Sequence, residues 1–269
     1  MSGYQIVVLG SVVPDPLQTL EPVASSQGPS LRNEAMLPAV LDPWAACALH
    51  EAAALAARAP GSKVTLVSLG PKAKLQQVMM AVGQKMPFEL VALDGPAGGF
   101  GDAHEVAARL AEAVKALPGL DRERLLLFGG WESASRSAGV TLAMVGERLE
   151  IADQFQGVDQ LTVNADGSLE ILERVEGGRH QVSVVRGPPT VLGWATGSLA
   201  EPRNNPQVGM ANMRAILPAL QKAPAAPVGT GGVEFLSVTV PRSQRQTRIV
   251  KDVPAAEIAA EIAAWIREE

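Results

Sequence analysis

The chain of 269 residues is long enough to bury a substantial core in one large α/β domain, with or without an appendage. A formal net charge of −5, with no Lys/Arg run interleaved with aromatics, argues against general attraction to polyanions, so nucleic acid is not an expected partner. The single cysteine, Cys47, cannot pair within the chain, and the three histidines (His50, His104, His180) have no second ligand at helical or hairpin spacing; neither a disulfide framework nor a metal site is expected.

The opening stretch MSGYQIVVLG lacks the charged start and small-residue cleavage site of an export signal, which sets the expectation of a cytoplasmic protein. Short apolar runs rich in β-branched residues occur at Gln5–Gly10, Lys63–Leu69, Glu89–Leu93 and Arg124–Phe128. The spacing predicts helices at Pro43–Arg58, Lys72–Val82, Ala103–Leu117 and Ser137–Glu147. Asp42 gives the first of these an acceptor at its cap, and Pro43 suits the first helical position. Cys47 falls in this Ala-rich pattern and reads as a buried, inert thiol. The alternation of strand and helix predicts an α/β fold with a doubly wound, mostly parallel sheet.

After about residue 155 the period changes to two. Asp166-Gly167 and Gly177-Gly178 each sit between alternating segments, predicting an antiparallel hairpin extension, and Val191–Ala195 reads as a strand returning to the main sheet. From Glu201 the sequence is rich in Pro, Asn and Gly, with one short helical stretch at Met210–Leu217, and is expected largely on the surface. An alternating segment Val233–Val240, a charged turn at 241–248 and a helix at Pro254–Arg267 introduced by Asp252 complete the chain. A tail this long with so little core of its own either seeks a partner surface or folds back on its domain. The expected division is 1–200 for the α/β domain and 201–269 for a C-terminal arm.

Open parallel sheets bind ligands outside the carboxyl ends of their strands. LGSVVPD, SLGPKAK and the Gly/Ser-rich stretch LLLFGGWESASRSAG are the candidate edges. Backbone N–H groups in the last of these, around Gly129, Gly130, Ser133, Ser135, Ser137 and Gly139, suit an anion at the start of a helix. It is neither a P-loop nor a dinucleotide fingerprint, and no G-x-S-x-G elbow or supporting histidine points to a serine nucleophile. Asp15, Glu132 and Asp153 are plausible mouth residues, but loop carboxylates are commonly just solvated. The chain reads as a nucleotide holder without catalytic groups of its own.

Several segments, taken in order, resemble the β subunit of the electron transfer flavoproteins. They are VVLGSVVPD, LDPWAACALHEAAALAAR, VTLVSLGP and, most specifically, LERVEGGRHQVSVVRGPPTVLGWATGSLAEPR. The resemblance implies a heterodimer with an α subunit that carries electrons from a flavoprotein dehydrogenase, of acyl-CoA or N-methyl amino acid type, to a quinone reductase or other acceptor. It implies FAD held chiefly by α, AMP or a second FAD at the strand ends of β, and a C-terminal arm that embraces α.

Carried over by matching segments, the cofactor-binding residues implied are Leu9, Gly10 and Asp42, then Ser68, Leu69 and Gly70. Gly129 and the turn Ser135, Arg136, Ser137, Ala138 and Gly139 complete the set. The chain departs from the family at Asp42, where Asn is usual, at Ser11, where Lys is usual, and at Ser137 and Ala138, which replace Gln and Thr. Arg136 offers a planar donor fork to a phosphate in compensation. After EPR, MANMRAILPALQK aligns with the family's recognition loop and puts Met210 at the apolar anchor for the dehydrogenase, with only Arg214 and Lys222 in place of a lysine cluster. A nucleotide-sensing α/β module of the same architecture, with no redox partner, is the alternative reading.

Overall fold

Apolar runs without polar alternation need cover on both faces of a sheet, and that requirement organises the molecule. The computed structural model describes residues 3–25, 28–96, 101–232, 234–237, 239 and 247–268. The first half contains β1 (Gln5–Leu9), β2 (Val12–Pro14), β3 (Pro22–Ser25), β4 (Gly28–Leu31), β5 (Ala39–Leu41), α1 (Pro43–Arg58), β6 (Lys63–Gly70), α2 (Lys72–Val82) and β7 (Glu89–Asp94). Next come α3 (Ala103–Lys115), β8 (Leu125–Gly130), α4 (Val140–Arg148), β9 (Gln154–Val163), β10 (Leu169–Val175), β11 (Arg179–Val185) and β12 (Thr190–Trp194). Two helices, α5 (Pro206–Gln221) and α6 (Ala255–Glu268), follow.

The central sheet has the order β11-β10-β9-β12-β8-β1-β6-β7. β7, β6, β1, β8 and β12 are mutually parallel, β12 also pairs in parallel with the start of β9, and β9, β10 and β11 form an antiparallel meander. This is the α/β architecture expected, including the return strand. Alternate residues of each parallel strand serve opposite cores. Ile6, Val8, Leu66, Leu126, Phe128, Leu192 and Trp194 meet α1, α2 and α5 on one face. Val7, Leu9, Val67, Leu127 and Val191 meet α3 and α4 on the other. Phe128 and Trp194 pack with ring centroids 5.4 Å apart in a tilted arrangement, a geometry that adds about 0.5–1.5 kcal/mol beyond simple burial.

α1 begins as expected: Asp42 accepts the Trp44 N–H, and Pro43 occupies the first turn. The meander turns need positive φ, which Gly167 (89°), Gly177 (73°) and Gly178 (68°) supply.

Three expectations need correction. The helix expected at Ser137–Glu147 starts at Val140, because Ser137 adopts φ 51° and gives its N–H to the Ser133 carbonyl in a turn. The helix expected at Met210–Leu217 extends over Pro206–Gln221, since Asn205 caps it by accepting the Gln207 and Val208 N–H groups. The expected alternating strand Val233–Val240 is not seen in its described residues, 234–237 and 239; its other residues, and most of the turn at 241–248, lie outside the described set. The structure also adds two small sheets, β2 with β5 and β3 with β4, that were not foreseen.

The 201–229 stretch does not lie wholly on the surface. Ile216 and Leu220 of α5 join the core, and the chain after α5 runs along the edge strand β7, where Asp94 exchanges backbone hydrogen bonds with Pro224 (2.9 Å) and Ala226 (2.7 Å). No helix among the described residues is long and apolar enough to cross a membrane.

Candidate functional site: a cleft at the strand-order reversal

The chain builds outward from β1 through β6 to β7, then returns to place β8 on the other side of β1. Neighbouring connections leave in opposite directions at that reversal, which opens a crevice at the carboxyl ends of β1 and β8. A cleft of ≈ 210 Å³ lies there. Leu9 and Gly10 form its floor, with Asp42 and Leu69 beside them. Gly129 and the turn residues Ser135, Arg136, Ala138 and Gly139 form its rim. The structure thus brings together most of the residues singled out from the sequence.

Ser68, Gly70 and Ser137 do not line it. Ser68 is fully buried and its hydroxyl donates to the Gly10 carbonyl at 2.6 Å, fixing the end of β1 from behind. Gly70 continues the ladder opposite Asp94, and Ser137 faces solvent. Neither Asp15 nor Asp153 reaches the cleft: Asp15 accepts the Leu17 N–H in its own turn, and Asp153 is exposed.

Glu132, expected at the mouth, and Ser133 of the Gly/Ser turn do line the cleft. Sequence reasoning passed over other contributors: Gly101 and Val106 approach from the start of α3, and Val228 closes one side. Val228 arrives because Asp102 donates its N–H to the Gly229 carbonyl (2.8 Å) and Glu105 accepts the Gly229 N–H (2.6 Å). No local signal in the sequence marks that long-range attachment. Close packing holds the rim: a Cβ on Gly139 would overlap the Trp131 carbonyl oxygen.

Asp42 is the most constrained side chain of the cleft. It is 1% exposed, and its two oxygens accept the Trp44 N–H (3.1 Å) and the Ala134 N–H (2.8 Å). Burial raises its pKa above the ordinary aspartate value, against the pull of N–H groups from Ala134, Trp44 and Ala45, and Glu132 adds a small further push upward. The Arg136 guanidinium donates to the Gly101 carbonyl at 3.0 Å, spanning the rim. The Ser133 and Ser135 hydroxyls bond each other at 3.2 Å. The start of α4, with Gly139, Val140 and Thr141 in the lining, has no side-chain cap.

A second feature is the outward surface of α5 and α6. α5 buries Gly209, Asn212, Ile216 and Leu220, and beside that face Met210 (62% exposed), Met213 and Leu217 form an apolar stripe at i, i+3 and i+7. α6 carries Ile258, Ile262, Trp265 (58% exposed) and Ile266 at i, i+4, i+7 and i+8, all at least 39% exposed. Cys47 is half-buried, and burial followed by the nearby Glu51 charge raises its thiol pKa, which favours the protonated, less reactive form.

A search of curated proteins finds no match to the chain. The family model described as the electron transfer flavoprotein domain matches residues 33–228. That match takes in α1, β6 to β8, the turn before α4, the meander and α5. It spans well over half of the 269 residues, and the chain therefore belongs to the electron transfer flavoprotein family.

Proposed function

We propose that this chain is the β-type subunit of a heterodimeric electron transfer flavoprotein. It carries electrons from a flavoprotein dehydrogenase to a quinone reductase or another acceptor, with FAD held chiefly by its α partner. The observation that carries the reading, beyond family membership, is the unpaired apolar stripe of α6. An amphipathic helix of 14 residues whose large apolar side chains are each 39–72% exposed calls for a companion surface. Residues 201–269 would then supply the contacts to partners, with α5 held on the α/β domain and α6 reaching the α subunit.

Bound FAD would supply the redox chemistry, while this chain contributes shape and docking. A cleft of ≈ 210 Å³ falls below the range of about 300–1,000 Å³ usual for ligand pockets. It suits the adenosine part of AMP and not a second FAD, so simple transfer without bifurcation is the corresponding mode. Met210 is the side chain offered to the dehydrogenase, its flexible thioether adapting to a pocket visited briefly. With Arg214 and Lys222 as the cations of that helix end, steering toward an acidic surface is weak, and the donor is a dehydrogenase other than the acyl-CoA type.

Co-expression with an α-type subunit tests the assignment. The expected product is a yellow 1:1 complex whose flavin accepts electrons from an N-methyl amino acid dehydrogenase. A colourless chain that remains alone contradicts it and favours the nucleotide-sensing module. Efficient turnover with an acyl-CoA dehydrogenase would contradict the donor assignment alone.

A further inference from the structure

Away from the strand-end cleft, a groove of ≈ 730 Å³ runs between the second half of α1 and the outer part of β9, within the range of about 300–1,000 Å³ usual for ligand pockets. A bulge opens it. Gly157 takes φ 70°, and the registers of β9 with both β12 and β10 shift beside it; such a bulge bends a strand and ends its pairing. β9 accordingly pairs with β12 only from Gln154 to Val158, while its pairing with β10 continues to Val163. Beyond Val158 one side of β9 has no neighbouring strand, and residues 160–163 line the groove there.

In an antiparallel pair every second residue turns its N–H and C=O away from the partner strand. Two of residues 160–163 therefore direct theirs away from β10, toward the side that β12 leaves free. Such edges are commonly blunted by lysine or proline; residues 160–163 read Gln-Leu-Thr-Val and contain neither. The facing wall is one stripe of α1, Glu51, Leu55 and Arg58 at i, i+4 and i+7. Glu51 is 7% exposed, and Ser198 donates its N–H (2.8 Å) and its hydroxyl (3.4 Å) to Oε1. Oε2 has no hydrogen-bond partner among the described residues. A carboxylate so deeply buried with one oxygen open calls for a donor or a cation. Arg58 gives its Nε–H to the Ala54 carbonyl (3.2 Å), and its two outer nitrogens have no partner among the described residues. The helical rise of about 1.5 Å per residue sets Glu51 and Arg58 about 10 Å apart along the groove. An extended chain covers that distance in about three residues.

We propose that the groove receives an extended segment of a partner protein, which adds as a strand to the free side of β9 and sets a lysine or arginine against Glu51 and an aspartate or glutamate against Arg58. Backbone pairing supplies affinity. The two charges, about two to four positions apart with apolar residues between them over Leu55, supply selection. A small molecule could meet the charges but not the repeating backbone groups of β9, which favours a polypeptide. This site is separate from the strand-end cleft and stands independently of the flavin-carrier reading.

Two blocked peptides, KVTVE and EVTVK, probe the two strand directions against the full isotope-labelled chain by NMR. One of them is expected to bind with a Kd below about 1 mM and at least about tenfold more tightly than the uncharged AVTVA. It should move the amide signals of residues 158–165 and slow hydrogen exchange within 160–163. Arg58→Glu should weaken that peptide at least about fivefold, and replacing the peptide's glutamate by lysine should restore binding, which a merely structural effect of the variant would not do. Failure of both charged peptides to bind overturns the proposal, as does binding that leaves the amides of residues 158–165 unmoved. The same shifts growing with protein concentration in the absence of peptide would make the occupant a second copy of this chain and overturn the partner assignment. If Arg58→Glu does not fold, as its spectrum shows directly, the shift map and the charged-to-uncharged affinity ratio of the unaltered chain decide.

Discussion

Removing the Asn212 side chain should loosen α5 from the rest of the molecule. Asn212 is 7% exposed, and its single amide nitrogen donates to the carbonyls of Gly83 and Met86, both at 2.7 Å, clamping α5 to the turn between α2 and β7. Asn212→Ala removes two neutral hydrogen bonds and leaves two buried carbonyls short of a donor, an expected loss of about 2–4 kcal/mol. For a chain of this size the melting temperature should fall by about 5–15 °C. Asn212→Asp keeps the volume but sets a carboxylate against the two carbonyls, so it should be the worse of the two at neutral pH. It should recover in part on acidification, when a carboxylic acid can again donate. Circular-dichroism melts of both variants at neutral and mildly acidic pH give the comparison. An Asn212→Ala variant melting within about 2 °C of the parent, or an Asn212→Asp variant as stable as the parent, would refute the clamp.

Gly139→Ala should cost about 1–3 kcal/mol by overpacking, since its Cβ would overlap the Trp131 carbonyl oxygen; urea unfolding measures it, and an unchanged midpoint contradicts the packing described. Asp159 gives a pH dependence. Partial burial pushes its pKa up, but hydrogen bonds from Arg174 (3.0 and 2.8 Å) and His180 (3.0 Å), with their charges, outweigh this and hold it below the ordinary aspartate value. A carboxylate depressed in the folded state stabilises above its unfolded pKa, and that contribution disappears as pH falls through the folded value. Asp159→Asn should therefore be less stable at neutral pH and lose less on acidification below about pH 4, as read from urea midpoints; an acid limb as steep as the parent's would count against the cluster. Met210→Glu, at an exposed site, should leave the melting temperature within about 1 °C while slowing flavin reduction by the donor dehydrogenase at least about tenfold; an unaltered rate removes Met210 from the docking surface.

Periodicity and end signals made the α/β frame legible. Pro43–Arg58 and Lys72–Val82 end where their local signals say, because caps and the apolar spacing act within one turn. β2 to β5 carried no such signal: each is three or four residues long, all four contain or begin beside proline, and pairing rather than alternation defines them. The start of α4 was misplaced because Ser137 adopts a left-handed backbone that only the surrounding turn dictates. For α5 the cue was present in the Asn205-Pro206 pair, a cap followed by proline, but the Pro/Asn-rich context read as loop.

Much of the cleft was also foreseeable, since strand ends and a Gly/Ser turn fall at the reversal of a parallel sheet. Asp42 was recognised as a helix cap, but its second oxygen meets Ala134, 92 positions later, and no local rule links the two. Val228 escaped notice for the same reason. Contacts made across the sheet edge depend on tertiary placement, which residue spacing alone does not encode.

Native mass spectrometry of the chain co-purified with an electron transfer flavoprotein α subunit tests the central claim most directly. The account predicts a single species containing one copy of each polypeptide and one FAD, which dissociates when the segment 247–269 is removed. A chain that stays monomeric in the presence of the α subunit, with no flavin in any complex containing it, would contradict the claim.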